Sequence, residues 1–545
     1  MAKRLTTFSK LLITFIILAL LYFGFTKFVQ PMIGGLSGGE KSERTSSTTT
    51  SSGDKTTILG KNSDGSKNTN AGNSTRSSSG GDDETLRVQL VSWGGYAPGL
   101  YFNEGAEANL RSRFYKEYGF KVDFKLENDL IVAMDSWLAG EYDVIVQTAD
   151  AFPLYTAPDE INAANPRAFM QVDWSRGGDA IIVKRGIKSV NDLKGKTIAV
   201  AVPSPAQTLL ITSLEAAGLD YSDVKVIKTT DNLKAAELFR TNDVDAAVVW
   251  SPDDIIATRD VPGSSILLNT ESQTNVIADI MVATQDVIDG KRQMFNDFYE
   301  GWMKGVAELN NKANQDKAAK YLAELNGVSK DDALGMMSVV KWTSHGDNVN
   351  FFGLNPSYKG MTGKELYTKM SKNFVKTGDA EKTAPSWRSV IYTGAVQNAS
   401  DLKGAKYDAE KSKVFTPATP KDKVVAPIAT KPVSISFATG QSQLTANAKT
   451  IIDLQFADVA KAFAGTKIRI EGNTDSTGSL QNNITLSQKR AQSVATYLQQ
   501  EYGLDRNRFV ILGNGPNKPV AGCESNATTE CKAKNRRTDF ELIPG

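Results

Sequence analysis

The sequence predicts an α/β protein with a membrane helix near its N-terminus and a second, compact unit at its C-terminus. An apolar run occupies residues 11–29, and strand-like and helix-like segments alternate from Thr85 onward. Residues 432–545 hold their own strands and helices behind a proline-containing segment. Strands that alternate with helices indicate helical crossovers between the strands of a sheet, which is the arrangement of α/β folds.

Composition narrows the chemistry open to this chain. The 545 residues include 63 Lys and Arg against 61 Asp and Glu, a net charge of +2, so no basic surface for a nucleic-acid partner is indicated. The single histidine, His345, argues against a multi-histidine metal site, and we expect no metal and no cofactor. The cysteines Cys523 and Cys531 form an even pair in a short loop, which fits a disulfide bond in an oxidising compartment.

The first thirty residues predict the compartment. Lys3, Arg4 and Lys10 precede the apolar run of residues 11–29. A cleaved signal peptide is the alternative, but it would have a shorter apolar core and small residues at a cleavage site. We therefore predict an uncleaved single-pass helix at 11–29 in the inner membrane. Because basic flanks stay in the cytoplasm, residues 1–10 are expected there and the C-terminal bulk of the chain in the periplasm.

Two linkers are predicted between the folded parts. Residues 30–85 are mainly Ser, Thr, Gly, Asn, Asp and Lys, a composition that cannot bury enough apolar surface to offset chain entropy, so a disordered linker is expected. Residues 406–431 contain several prolines and few hydrophobic side chains, which predicts a semi-rigid spacer. The first folded domain is then expected at 86–405 and the second at 432–545.

The middle of the chain alternates strands with helices. A helix is expected from Asp129 to Ala139, and a helix-rich stretch from about Arg292 to Gly378. The pattern predicts a largely parallel sheet. The predicted strands are Arg87–Val91, Val122–Lys125, Asp143–Gln147, Asp179–Val183, Thr197–Val202, Val224–Lys228 and Ala246–Val249.

The C-terminal unit also has a definite order of strands and helices. Thr445 is a candidate N-cap for one helix, and Ser487 for a second helix that ends at Gly503. These helices would lie between strands, so the unit is expected to be a small α+β domain. The predicted strands are Val433–Phe437, Ile468–Ile470, Phe509–Leu512 and Thr538–Leu542.

Short motifs within this unit form a joint pattern. Phe-Ala-Thr-Gly at 437–440 is followed by Gly-Asn-Thr-Asp-Ser-Thr-Gly-Ser at 472–479. Leu-Ser-Gln-Lys-Arg-Ala at 486–491 and Asn-Arg-Arg at 535–537 come next. Together they resemble the OmpA-like peptidoglycan-binding domain, although Asn stands where that family often has His in Gly-His-Thr-Asp.

The resemblance implies that Asp475 and Arg490 hold the diaminopimelate of the peptidoglycan stem peptide, beside Asn473 and Thr474. The free end of diaminopimelate carries an ammonium and a carboxylate on the same carbon. One acid and one arginine fork can hold that pair, and the arginine can do so with two parallel hydrogen bonds. Peptidoglycan is therefore the expected partner of this domain.

Other interpretations of these residues remain open. Asp475 could be only a turn residue, since Asp-Ser-Thr-Gly is good turn chemistry, and Arg490 only a solvated surface residue. With Ser487 as N-cap, however, Arg490 would lie in the first turn of its helix, where the macrodipole disfavours a cation, so an anionic partner is expected. Arg536 and Arg537 either support this site or are surface charges at a strand edge.

The middle unit contains a strand that runs into a strong helix start. Asp-Leu-Lys-Gly-Lys-Thr-Ile-Ala-Val at 192–200 leads into Pro-Ser-Pro-Ala-Gln-Thr at 203–208, and a further strand ends at Val-Val-Trp-Ser-Pro, 248–252. Ser204 as N-cap and Pro205 at the first helical position predict the helix start. Such an N-terminus can bind an anion or another polar ligand.

These segments resemble periplasmic solute-binding proteins of the nitrate, sulfonate and taurine type, the substrate-binding subunits of ABC transporters, over about 86–393. The resemblance implies two α/β lobes joined by a hinge, the second at roughly 189–278, with a small polar solute in the cleft. An anion or a zwitterion would fit. Trp93 and Trp250 could instead be core residues, and the acids ordinary loop charges. The cleft candidates are Trp93, Gly95, Tyr96, Asp179, Ser204, Gln207, Thr208, Trp250, Asp254 and Asp279.

The functional hypothesis is a tethered receptor or scaffold that is not an enzyme. It would be fixed to the inner membrane, would bind peptidoglycan and a small polar solute, and could contact a membrane protein. One rival is a stator-like or envelope-complex subunit whose middle domain makes protein contacts and binds no solute. Residues 11–29 contain no acid, which argues against proton conduction. The other rival, an enzyme, lacks a recognisable nucleophile and base.

Overall fold

The computed structural model describes residues 84–435, 437–438 and 440–545. The predicted membrane helix at 11–29 and nearly all of the predicted linker at 30–85 lie outside these residues. Among the described residues, no helix combines the length and the apolar character that crossing a membrane requires.

The first segment, residues 84–175, opens the first lobe. Parallel β1 and β2 form a two-stranded sheet of their own. Asp129 caps α3, the helix predicted from Asp129 to Ala139, by accepting from the amides of Ile131 and Val132. The elements are β1 (Thr85–Leu90), α1 (Ala97–Asn103), α2 (Arg113–Tyr118), β2 (Lys121–Leu126), α3 (Leu130–Leu138), β3 (Ile145–Thr148), α4 (Phe152–Thr156), α5 (Asp159–Ala163) and β4 (Pro166–Ser175).

The second segment, residues 179–269, forms the second lobe. Its sheet has the order β7-β6-β8-β5-β9, with β6 parallel to β7 and β8 but β5 antiparallel to β8 and β9. The elements are β5 (Asp179–Val183), β6 (Thr197–Ala201), α6 (Pro205–Ala216), β7 (Lys225–Thr229), α7 (Asn232–Arg240), β8 (Ala246–Trp250), α8 (Asp253–Asp260) and β9 (Ser265–Asn269).

The chain then returns to the first lobe and completes it. Strand β10 inserts between β3 and β4 and is antiparallel to both, in a sheet of order β11-β4-β10-β3. The elements are β10 (Ala278–Thr284), α9 (Gln285–Gly290), α10 (Arg292–Leu309), α11 (Lys312–Asn326), α12 (Lys330–Ser338), β11 (Val340–Trp342), α13 (His345–Phe351), α14 (Gly363–Thr377) and α15 (Gly394–Asn398).

The prediction of a largely parallel sheet is wrong in these two lobes. Strands β4 and β5 carry the chain out of the first lobe, and β9 and β10 carry it back. A strand that enters a lobe and one that leaves it run in opposite directions, so the hinge strands pair antiparallel. Helical crossovers give parallel pairs only within a lobe, as for β6 with β7.

A hydrogen-bonded node joins the two hinge crossings. The Thr270 hydroxyl lies 2.8 Å from the Ser175 hydroxyl and accepts from the amide of Gly177 at 2.8 Å. The Ser175 hydroxyl also lies 2.7 Å from Asp179 Oδ2. All these side chains are buried, so the strands that enter and leave the second lobe are held side by side.

The C-terminal domain is a four-stranded sheet of order β12-β15-β13-β14 with helices on one face. Successive side chains along its strands point to opposite faces of the sheet. Ile468, Ile470 and Phe540 face the helices, whereas Arg469 and Glu541 form an ion pair on the other face. The elements are β12 (Ala429–Val433), α16 (Ala446–Ile452), α17 (Asp458–Ala462), β13 (Lys467–Asn473), α18 (Leu480–Tyr502), β14 (Phe509–Gly515), α19 (Thr529–Asn535) and β15 (Thr538–Ile543).

Two boundaries in this domain differ from the prediction. The first strand ends at Val433 instead of running from Val433 to Phe437, because it pairs with β15 from Ala429 onward as an edge strand, where Pro432 is tolerated. Helix α18 begins after Ser479, whose hydroxyl accepts from the amide of Asn482. Thr445 caps α16 as predicted.

The predicted spacer at 406–431 packs against the C-terminal domain. Phe415 is buried and its amide donates to Asp505 at 3.0 Å. Lys467 pairs with Asp422 at 2.9 Å. The composition of this segment predicts a semi-rigid spacer, and these contacts bind the segment to the domain.

The C-terminal domain contacts both lobes and the hinge. Lys461 pairs with Glu365 of α14 at 2.6 Å, and its carbonyl accepts from Asn275 in the returning hinge crossing at 3.2 Å. Asn191 of the second lobe donates to the carbonyl of Thr430 at 2.9 Å. A cavity of about 310 Å³ lies at this junction, lined by residues that include Arg176, Tyr358, Lys413, Tyr502 and Arg508.

Candidate functional site

The first candidate site lies in the C-terminal domain, in the loop after β13. Asp475 Oδ1 accepts from the amide of Thr477 at 2.8 Å, and Oδ2 accepts from Arg536 Nη1 at 2.6 Å. Burial raises the pKa of Asp475, but the bonds from Arg536 and Thr477 outweigh it and hold the pKa below its usual value. Asp475 is therefore ionised and fixed in position.

Arg490 faces the same place from α18 without pairing with Asp475. Its Nε donates to the carbonyl of Gln441 at 3.0 Å, and its guanidinium stacks over the ring of Phe437 at 4.9 Å. Burial and then the nearby positive charge of Arg536 lower the pKa of Arg490, while the charge of Asp475 acts in the opposite direction. Asp475, Arg490 and Arg536 thus interact in one place.

The predicted reason for an anionic partner of Arg490 is wrong. Ser487 does not cap a helix: its buried hydroxyl donates to the carbonyl of Ile484 and accepts from the amide of Gly515. Since α18 begins at Leu480, Arg490 lies in the middle of the helix, where the macrodipole has little effect. The sequence also left the role of Arg536 undecided, although this arginine is the one that pairs with Asp475.

The neighbouring predicted residues divide into one that holds the loop and one that is free to bind. The side-chain amide nitrogen of Asn473 donates to Asp539 at 3.1 Å, and its side-chain oxygen accepts from Asn514 at 3.0 Å. The buried hydroxyl of Thr474 has no hydrogen-bond partner among the described residues. Asn473 therefore supports the loop, whereas Thr474 could still bond to a ligand.

The disulfide bond fixes the helix that ends just before Arg536. Cys523 and Cys531 are joined, as predicted, and Cys531 lies within α19. This helix ends at Asn535, one residue before Arg536. The side chain of Asn535 donates to the carbonyl of Cys523 at 2.9 Å, so the bond and this contact together fix the helix end from which Arg536 reaches Asp475.

The second candidate site lies where the two lobes meet. Five buried aspartates gather there from both lobes, and we name them the interlobe acids: Asp150, Asp173, Asp179, Asp254 and Asp279. Three of them were predicted from the sequence, whereas Asp150 and Asp173 were not.

Two aromatic residues predicted for the cleft bond to the interlobe acids. Tyr96 donates its hydroxyl to Asp279 Oδ2 at 2.6 Å, and Trp93 Nε1 donates to Asp173 Oδ2 at 3.2 Å. Gly95 permits this approach, because a Cβ there would stand 1.6 Å from Asp173 Oδ2. Trp93, Gly95 and Tyr96 therefore lie together beside Asp173 and Asp279.

The strand register brings the acids close to one another. Asp173 on β4 and Asp279 on β10 are direct cross-strand partners. Directly opposed residues on antiparallel strands have Cβ atoms about 4.5–5.5 Å apart, and like charges there repel. Asp179 begins β5 opposite Trp250, and Asp254 is bonded to Ser251 in the next loop.

The pKa values of all five interlobe acids are raised, mainly by burial. Burial, and after it the charge of Asp279, raises the pKa of Asp173 well above its usual value. Burial raises the pKa of Asp279 to about 7 and that of Asp179 to about 6, with further contributions from the neighbouring aspartates. Burial likewise raises the pKa of Asp254 and brings that of Asp150 to about 7.

The start of α6 is arranged differently from the prediction. Ser204 caps the helix as predicted, but its hydroxyl is occupied: it donates to the carbonyl of Ala201 at 2.9 Å and accepts from the amide of Ala206 at 3.2 Å. The Gln207 amide donates to Asp379 at 2.5 Å. Thr208 is fully buried, and a hydrogen bond from its hydroxyl acts to lower the pKa of Asp150.

The predicted cleft residues are mostly enclosed between the lobes. Tyr96, Ser204, Asp254 and Asp279 are buried, while Trp93 and Trp250 are half-buried. The cavity of about 310 Å³ lies elsewhere, at the junction with the C-terminal domain. Residues 84–435, 437–438 and 440–545 contain no group of three or more His, Cys, Asp or Glu side chains placed to hold a metal ion.

Comparison with known proteins matches two regions of the chain. The OmpA family model matches residues 436–536, and the model described as NMT1/THI5 like matches residues 111–316. The probable lipoprotein YiaD of Escherichia coli is 40% identical over 114 residues, which are 21% of this chain and 49% of that protein. The peptidoglycan-binding protein ArfA of Mycobacterium tuberculosis is 43% identical over 84 residues, 15% of this chain and 24% of that one.

Solved structures also match part of the chain. The periplasmic aliphatic sulphonate binding protein SsuA of Escherichia coli aligns with a TM-score of 0.45 and 16% identity, over 58% of this chain and 99% of that one. The chain spans about half of the length of YiaD and a smaller share of ArfA, so these likenesses concern domains. The chain thus carries an OmpA family domain at 436–536 and, in its middle, an NMT1/THI5-like domain.

Proposed function

We propose that this chain is an envelope protein, anchored in the inner membrane, that binds peptidoglycan through its C-terminal domain and a small polar solute between its two lobes. The OmpA family match and the likeness to a protein named as peptidoglycan-binding support the first activity. The NMT1/THI5-like match supports the second. Both roles are binding roles, and no chemical step is assigned to the chain.

The observation that carries the proposal is the charge arrangement at Asp475. One carboxylate meets two guanidinium groups there, those of Arg536 and Arg490, and within the described residues Arg536 is the one paired with it. Arg490 bonds to backbone carbonyls instead. The site therefore holds the unpaired positive charge of Arg490 beside the fixed carboxylate of Asp475. Such a site suits a ligand that carries both an ammonium and a carboxylate.

The end of diaminopimelate has that chemistry. Its ammonium would take the free lone pairs of Asp475, and its carboxylate would accept the fork of Arg490 in place of the carbonyl of Gln441. The hydroxyl of Thr474, which has no partner in the part of the chain that the structure describes, offers a further hydrogen bond. Arg536 would position Asp475 and add attraction for the carboxylate.

A pull-down on purified sacculi tests this site. The full-length chain in detergent is compared with Asp475→Ala, Arg490→Ala and the control Arg506→Ala, which removes an exposed arginine of the same domain. We expect wild type and the control to be retained and the first two variants to be released. Equal retention of all four proteins would remove the assignment of this site, and absence of wild-type binding would remove the proposed function of the domain.

The enclosed interlobe site favours a second candidate for the middle domain. Because most of the predicted cleft residues are buried, the domain could serve only as a scaffold for a membrane-protein partner. A thermal-shift screen of the full-length chain with a broad library of small solutes separates these roles. A saturable shift by one class of solute supports a receptor, whereas a blank across all classes supports the scaffold.

A further inference from the structure

The interlobe acids have no cation beside them within the described chain. Neither lysine nor arginine forms an ion pair with any of the five in residues 84–435, 437–438 and 440–545, and none contributes to their pKa values. Their partners are instead neutral hydroxyl, indole and amide groups, such as those of Tyr96, Trp93 and Ser175. Buried carboxylates are normally paired with a cation or bound to a metal, so this cluster is incomplete as it stands.

Buried polar groups on both sides of the lobe boundary are a separate observation. Gln207 Oε1 has no hydrogen-bond partner among the described residues, whereas the Thr208 hydroxyl lies close enough to Asp150 for their hydrogen bond to act to lower the pKa of that acid. All three residues are fully buried; Asp150 belongs to the first lobe and the other two to the first turn of α6. Asp150 Oδ1 faces the amide of Ala278, the neighbour of Asp279, so Asp150 adjoins the other acids. The amide oxygen of Gln207 can only accept hydrogen bonds, so what it lacks is a donor.

The start of α6 is correspondingly poor as an anion site. Pro205 has no N–H to offer. The amide of Ala206 is bonded to the Ser204 hydroxyl and that of Gln207 to the Ser204 carbonyl. An anion there would find few free donors and would face aspartates across the lobe boundary.

Resting on the solute-binding function proposed above, we propose that the interlobe site takes a small organic cation with several N–H donors, a protonated amine or a guanidinium. Its N–H groups bond to carboxylate oxygens of Asp173, Asp179 and Asp279, and its body lies against the ring of Trp93, which also favours a cation. Carboxylates from both lobes then share one positive ligand. A bound cation thereby cancels the repulsion that otherwise opposes closure of the lobes.

A bare metal ion is the less suitable occupant. The described acids do not form a group of three or more around a common point, as a metal ion needs. They are spread over β4, β5, β10, the first turn of α8 and the loop that follows β3. An extended cation with several N–H groups can span acceptors that are separated in this way.

The test is calorimetric titration of the full-length chain with matched probes. One half of the panel holds monoamines, diamines and guanidines, including agmatine, and the other half holds sulfonates and carboxylates on the same carbon skeletons. We expect saturable binding by members of the cationic half and at least tenfold weaker binding by their anionic counterparts. Calcium and zinc ions are titrated separately, and tighter binding of either would overturn the proposal.

Three variants locate the effect. Asp279→Asn and Asp173→Asn should each lower affinity for the best cation at least tenfold, while their melting temperatures without ligand stay at or above that of wild type. Asp135→Asn makes the same change at an exposed aspartate and should leave affinity unchanged. Loss of affinity accompanied by a large fall in melting temperature would contradict the proposal, because the acids would then be needed for folding.

The outcomes also separate this proposal from the proposed function. Binding of sulfonates or carboxylates in preference to cations would overturn the cationic class and leave the solute-binding function standing. Binding of no probe from either half, together with a blank in the broad solute screen, would overturn both. Retention on sacculi is measured independently and depends on neither result.

Discussion

At the C-terminal site an aspartate is paired with an arginine before any ligand arrives, whereas the interlobe site gathers aspartates with no such pairing in the described chain. The pKa of Asp475 is accordingly lowered and those of the interlobe acids are raised. The first arrangement is stable without ligand and suits a ligand of mixed charge. The second is strained by its own charges and calls for a cation. The sign of the pKa shift thus indicates which site depends more on its ligand.

The largest expected effect is on binding at the C-terminal site. Arg490→Ala should weaken binding to sacculi by roughly 2–5 kcal/mol, since the ligand carboxylate would be left without its partner. Arg490→Lys should recover only part of this, because an ammonium cannot reproduce the planar fork. Retention is measured over a range of protein concentrations. Full recovery by lysine would mean that charge alone, without geometry, accounts for binding.

The next expected effect is on the free energy of unfolding, which should change in opposite directions when an aspartate is replaced at the two sites. Asp279→Asn should raise the free energy of unfolding at pH 8 by roughly 1–3 kcal/mol, because it removes a charge that is buried beside other acids. Asp475→Asn should lower it by about 0–1 kcal/mol, the usual worth of a partly exposed ion pair. Denaturant titration of both variants measures this. Destabilisation of similar size by both would contradict the contrast.

A smaller effect follows from pH. The folded-state pKa of Asp279, about 7, lies above the ~3.9 of an unfolded aspartate, so between these values the folded protein binds more protons. Its contribution to stability is therefore present at low pH and is lost as pH rises through about 7. Moving from pH 8 to pH 5.5 should stabilise wild type by roughly 1–2 kcal/mol more than Asp279→Asn.

The pKa of Asp475 is shifted in the opposite direction, so its effect on the pH dependence of stability should be opposite too. Its folded-state pKa is lowered, so its stabilising contribution is present above the unfolded value of ~3.9 and is lost only as pH falls through the folded value. Asp475→Asn should therefore leave the stability difference between pH 8 and pH 5.5 as it is in wild type. Thermal unfolding of both variants at pH 8 and pH 5.5 measures these stability differences. If the lower pH stabilised Asp279→Asn as much as wild type, the result would contradict the expectation.

The smallest expected effect concerns the disulfide bond. Reducing Cys523–Cys531 frees the helix that ends beside Arg536, so Asp475 should be held less firmly. We expect binding to sacculi to weaken two- to fivefold, or about 0.5–1 kcal/mol. The Cys523→Ser/Cys531→Ser double variant should behave as the reduced protein does. Binding at the interlobe site should not change, and a change there would show that the two sites are coupled.

Local signals in the sequence predicted much of the fold. Asp179–Val183 is a strand with the predicted ends, and Ser204 and Thr445 cap the predicted helices. These features depend on neighbouring residues, which a sequence pattern shows directly. Ser479 and Ser487 are equally good N-cap types, and only the burial of Ser487 against Gly515, far along the chain, decides between them.

Contacts between distant residues could not be predicted in the same way. Arg536 pairs with Asp475 from 61 residues away, and nothing in its local sequence distinguishes it from Arg537. Asp173 is an acid within an otherwise buried strand, which was a usable signal, but its pairing with Asp279 depends on the return of β10 from the second lobe. The antiparallel hinge was missed for the same reason.

The most direct test of the C-terminal site uses two soluble stem peptides that differ in one group. One peptide ends in diaminopimelate and the other in lysine, which has the ammonium but lacks the second carboxylate. Calorimetric titration of the full-length chain should show binding of the diaminopimelate peptide and at least tenfold weaker binding of the lysine peptide, with the difference abolished in Arg490→Ala. Equal affinity for the two peptides would contradict the pairing of that carboxylate with Arg490 and, with it, the proposed recognition of the wall.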